Sequence, residues 1–89
     1  MSSVRYHPLA LNEYKEAALY YGLISAGLAD RFTEQIESNV KEITDFPEGF
    51  PLIYRRARNC VLLKFPYSIL YANTEVGLFI VAVMHHKRP

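Results

Sequence analysis

Apolar residues recur at spacings of four and three over Ala10, Tyr14, Ala17, Tyr21 and Ile24, while Asn12, Glu13, Lys15 and Glu16 fall off that stripe. The period matches 3.6 residues per turn and predicts an amphipathic helix. Pro8 suits its first position, and the stop falls between Gly22 and Gly27. A second stripe, Phe32, Ile36, Val40 and Ile43, runs against Arg31, Glu34, Glu37, Ser38, Lys41 and Glu42 and predicts a second helix that ends before Pro47. The short Ser25-Ala26-Gly27 connection makes the two helices antiparallel. Each has one apolar face, so another layer must cover both.

Residues of strand character supply that layer. Val4 and Tyr6 alternate with Arg5 and His7, as a short strand ended by Pro8 would. Beyond a loop marked by Pro47, Gly49 and Pro51, β-branched and aromatic residues cluster in Leu52 to Arg56, Asn59 to Phe65, Ser68 to Ala72 and Leu78 to Met84. The connections at Ala57-Arg58, Pro66-Tyr67 and Asn73 to Gly77 are too short for parallel crossovers and suit hairpins. The expected fold is α+β, in the order β-α-α-β-β-β(β), with a helical hairpin packed on a mainly antiparallel sheet. Leu78 to Met84 is apolar on both parities, which predicts a strand buried on both faces or at the sheet centre. It would mount His85-His86-Lys87-Arg88 at a sheet end.

Composition narrows the class. Eighty-nine residues, 51% of them hydrophobic and 21% charged, describe a single domain spanning 1–89 with an ordinary globular core. The formal charge is only +1, but eight of the nine acids lie between Glu13 and Glu48. Arg55, Arg56, Arg58, Lys64, Lys87 and Arg88 follow, opposed there only by Glu75, so one part of the fold is locally basic. This excess is too small to force phosphate recognition, and an anionic protein partner fits it equally well. The single cysteine, Cys60, permits no internal disulfide, and its parity with Leu62 makes it a buried small hydrophobe. The apolar run Val76 to Met84 is far short of the roughly 20 residues that span a bilayer, so the expectation is a cytoplasmic protein with no membrane partner.

Candidate chemistry lies in the basic part. Arg58 and Lys64 share a parity, and a regular strand would set them on one side about 20 Å apart; ordinary solvated surface residues explain them as well. His85 and His86 sit next to each other, point to opposite faces of a strand and have no acidic or cysteine neighbour, so no metal is expected. His85 could instead transfer protons or donate to a phosphate. Tyr6, Tyr20 and Tyr54 are candidates for exposure at a protein interface, or for the rim of a small core.

Three segments together carry a family resemblance: Ile43-Thr44-Asp45-Phe46-Pro47 at the end of the helical hairpin, Arg58-x6-Phe65-Pro66-Tyr67-x3-Tyr71, and Ile80-x-Ala82-Val83-x-His85-x2-Arg88. Over Tyr6 to Pro89 the chain resembles the RelE/ParE superfamily of toxins, closer to ParE and the plasmid stabilization type. The resemblance implies a type II toxin blocked by a cognate antitoxin, with no cofactor, as a homodimer or a toxin–antitoxin hetero-oligomer. One branch of the superfamily inhibits DNA gyrase by binding. The other cuts messenger RNA on the ribosome, and for it the resemblance implies His85, Arg58 and Arg88 as the catalytic set. Arg56, Arg58, Lys64, Lys87 and Arg88 would bind the target or its phosphates. The near-neutral charge and the one lysine on the sheet favour the gyrase branch; an inactive antitoxin-binding module is a third reading. Superfamily members commonly carry an aromatic tail after His-x-x-Arg, where this sequence has Pro89.

Overall fold

The computed structural model describes residues 3–87. Its elements run β1 (Val4–Tyr6), α1 (Pro8–Ile24), α2 (Ala26–Asp45), β2 (Leu52–Tyr54), β3 (Ala57–Val61), β4 (Tyr67–Thr74) and β5 (Gly77–His85). The five strands form one sheet in the order β1-β5-β4-β3-β2, and the helical hairpin packs on one face of it. β2 to β5 are antiparallel neighbours, whereas β1 joins β5 in parallel. Parallel pairing is open to β1 because everything from α1 to β4 separates it from β5 in the chain, far more than a parallel connection needs.

Local chemistry sets the helix ends. His7 caps α1 by accepting the Leu9 N–H on Nδ1, and Pro8 follows where a missing N–H costs nothing. The connection between the helices shrinks to Ser25 alone. Its N–H closes α1 on the Tyr21 carbonyl while its hydroxyl accepts the Leu28 N–H and opens α2. The second stripe is buried as predicted, at Phe32, Ile36, Val40 and Ile43. In the first, Ala10, Ala17 and Tyr21 are buried, but Ile24, in the last turn of α1, is exposed. Asn39 is also buried, accepting from Gln35 and donating to Cys60 Sγ at 3.4 Å. Burial raises the Cys60 thiol pKa against the opposing pull of that hydrogen bond. Cys60 is the expected buried hydrophobe.

The sheet departs from the sequence reading at its turns. The β2–β3 hairpin closes at Arg55-Arg56, not at Ala57-Arg58, and Arg55 has a φ of +50°. Two-residue hairpins favour that sign at their first loop position, because it matches strand twist. β3 stops at Val61, so Lys64 lies in the loop 62–66 and not on a strand with Arg58. The last hairpin tightens to Glu75-Val76 between paired Thr74 and Gly77. β4 takes the sheet centre and β5 lies beside it, with Val81 and Met84 exposed, so β5 is not buried on both faces. Leu70 faces Ala82 and Tyr71 faces Ile80, which leaves Val81 as the extra residue of a bulge. This lets Ile80 and Val83 both enter the core.

Candidate target-binding surface

The expected site residues divide between the C-terminal end of β5 and the first half of β3. His85 is the last residue of β5, opposite Tyr67, and their rings meet edge to face at 5.0 Å. Its Nδ1 accepts the Lys87 N–H at 3.0 Å, which puts the proton of the neutral ring on Nε2. His86 turns to the loop before β4: its N–H donates to the Pro66 carbonyl, and its Nε2 lies 2.8 Å from Ser68 Oγ. Lys64, His86 and Lys87 therefore gather at this end, all exposed.

Phe65-Pro66-Tyr67 turns out to be architecture. The Phe65 ring lies 5.0 Å from Tyr21 and 5.2 Å from Phe32, and Tyr67 lies 5.3 Å from Phe32. Edge-to-face contacts of this kind tie the loop 62–66 to both helices. Lys64 consequently projects beside α2, in a groove shared with Leu28, Arg31, Glu34, Gln35 and Phe65.

Arg58 stands near the start of β3, opposite Tyr71 in the middle of β4. Its Nη1 donates to the Phe50 carbonyl at 2.7 Å and to that of Glu48 at 3.4 Å, while Tyr71 donates its hydroxyl to the Pro47 carbonyl at 2.7 Å. The two side chains thus hold the loop 46–51 by its carbonyls. Burial pushes the Tyr71 pKa up to about 12, with the Arg58 charge acting in the opposite direction. Four positions along β4 separate the partners of Arg58 and His85, about 14 Å at strand rise. Arg56 is exposed at the tip of the β2–β3 hairpin. Arg88 lies outside the described residues. Among the described residues no three His, Cys, Asp or Glu side chains group as a metal site, and no helix is long and apolar enough to cross a membrane.

Other surface features escaped the sequence reading. Leu19, Leu23 and Ile24 join the expected Tyr20 in an exposed apolar face on the second half of α1, about 53–80% accessible. Leucines off the core stripe were the available signal, since a helix apolar on two faces meets two partners. Tyr20 and Tyr54 are exposed as anticipated, whereas Tyr6 is half-buried against Tyr14. A groove of about 530 Å³ runs between α1 and β5, lined by Glu13, Glu16, Ala17, Tyr20, Tyr67, Val83, Met84 and His85.

A helical hairpin laid on one face of a five-stranded sheet, with an apolar helix face left open, makes the chain a small two-layer α+β protein. The chain belongs to the family described as ParE toxin of type II toxin-antitoxin system, parDE, whose profile matches residues 4–89. A solved structure titled chromosomal ParDE TA system from P. aeruginosa has the same fold at a TM-score of 0.78, with 18% identity and 96% of each chain covered. A search of the curated proteins finds no match.

Proposed function

We propose that this toxin acts by binding DNA gyrase, that it is held inactive by a cognate antitoxin, and that it works in the cytoplasm where both would be met. The observation that carries the choice of binding over cleavage is the separation of Arg58 from His85. Cutting RNA through its 2′-hydroxyl needs a base, an acid and cations around one phosphate. Here the Arg58 guanidinium is turned onto loop carbonyls, and His85 Nδ1 is occupied by a backbone N–H at the far end of the sheet. The apolar face of α1 supports a protein partner, because monomeric proteins rarely leave such a patch uncovered.

Expression without an antitoxin is expected to arrest growth, with purified protein inhibiting gyrase supercoiling and cellular messages left intact. Normal growth together with unaffected gyrase removes this reading. Primer extension that finds cut messages, with cutting lost in His85→Ala, moves the protein to the ribosome-dependent nuclease branch. Co-purification with an antitoxin but no effect on growth leaves a silent antitoxin-binding module.

A further inference from the structure

β1 pairs with β5 only as far as Tyr6 opposite Ile80, after which the chain turns into α1. Among the described residues no strand lies against that flank of β5 from Val81 to His85. An open strand flank is a template for another strand. At its middle the Val83 N–H donates to Glu13 Oε1 at 3.0 Å, so a helix carboxylate stands where a neighbouring strand would place a carbonyl. The groove between α1 and β5 follows this flank, with Glu16 one helical turn beyond Glu13 and Tyr20 one turn further. Glu16 is exposed and accepts from Asn12 at 3.0 Å.

We infer that this groove receives an extended, arginine- or lysine-bearing segment of the antitoxin, added as a strand to the open flank of β5; the inference rests on the antitoxin reading above. The charge is dictated by an exchange of hydrogen bonds. A docking strand brings its own carbonyl to the Val83 N–H and displaces the Glu13 carboxylate. A carboxylate turned out of a charge-assisted bond into a half-covered groove needs a new donor, and a neutral strand leaves it without one. An alternating strand sends every second side chain toward α1. A basic side chain there meets Glu13 and Glu16 together, and the Tyr20 ring offers a face for its cation.

The test uses the isotope-labelled chain and two peptides, acetyl-Val-Arg-Val-Arg-Val-amide and acetyl-Val-Glu-Val-Glu-Val-amide, followed by amide chemical shifts. The arginine peptide is expected to move the resonances of Val83 and of α1 around Glu13, with an affinity that falls as salt is added. The glutamate peptide is expected to bind at least about tenfold more weakly. Glu13→Gln retains an acceptor for Val83 and protects the fold, yet should weaken the arginine peptide about twofold to fivefold. Equal binding of both peptides, shifts confined to β2 or to the outer face of α1, or no shift at millimolar peptide would each overturn the inference. Growth arrest is scored separately, so a toxic chain that ignores the peptide refutes the groove and leaves the toxin reading standing.

Discussion

Arg58 shows how a side chain of a functional motif can carry a structural duty. Its guanidinium donates to two carbonyls of the loop 46–51. Arg58→Ala is expected to cost about 1.5–3 kcal/mol in urea unfolding, the range for hydrogen bonds to a charged group. A variant of unchanged stability would release Arg58 for target contact alone. Three tyrosines make a second prediction at this scale. Burial raises Tyr6 and Tyr71 to about 12, and Tyr14 is raised too, by burial and by the proton it donates to Glu37 at 2.9 Å. A hydroxyl whose folded pKa lies above its unfolded one stabilises the fold fully below about pH 10 and loses that contribution as pH climbs through 12. Alkaline unfolding in that window, followed by circular dichroism and tyrosinate absorbance, should shift when Tyr71→Phe removes one of the groups.

Elements here are joined by single residues. Ser25 ends one helix and starts the next, so Ser25→Ala should cost about 0.5–2 kcal/mol and Ser25→Gly only a few tenths, as read by thermal melts. Gly77 is the corresponding point in the sheet. Its φ is +122°, and a Cβ there would run into the Ser3 carbonyl oxygen, which accepts the Leu78 N–H. Gly77→Ala should therefore cost about 1–3 kcal/mol through backbone strain, and displace β1 as well. Hydrogen exchange would show lost protection at Leu78 and His7, whose amides bond across the β1–β5 seam, with β3 and β4 unaffected.

At the scale of the whole molecule, stability rests on one shared core in which helices and sheet meet through aromatic rings. Phe32 touches Tyr14, Tyr21, Phe65 and Tyr67 and is fully buried. Phe32→Ala is expected to cost about 3–5 kcal/mol, a large fraction of the roughly 5–15 kcal/mol that holds a domain of this size. Chemical denaturation should show it, and a loss below about 1 kcal/mol would mean the ring cluster does not bind the layers together. Such a core mounts two surfaces that adjoin at His85, the basic end of the sheet and the groove along α1, so under the proposed function substitutions away from His85 should separate loss of target binding from loss of antitoxin binding.

The helical hairpin and the antiparallel run from β2 to β5 were legible in the chain, and the strand count to within one, because a period of 3.6, a period of two and connection length are local properties. Phe32, Ile36, Val40 and Ile43 needed no partner to be recognised as a core face. Turn positions were less legible, since Arg55 rather than a glycine takes the positive φ. What only the tertiary structure decided is which distant groups meet. The sequence motif joined Arg58 to His85, but strand register keeps them about 14 Å apart along β4. No spacing joined Glu13 to Val83, seventy positions away, yet the crossover that lays α1 along β5 puts a carboxylate on an open strand flank. Periodicity describes one element at a time, whereas a site is made where packing brings elements together.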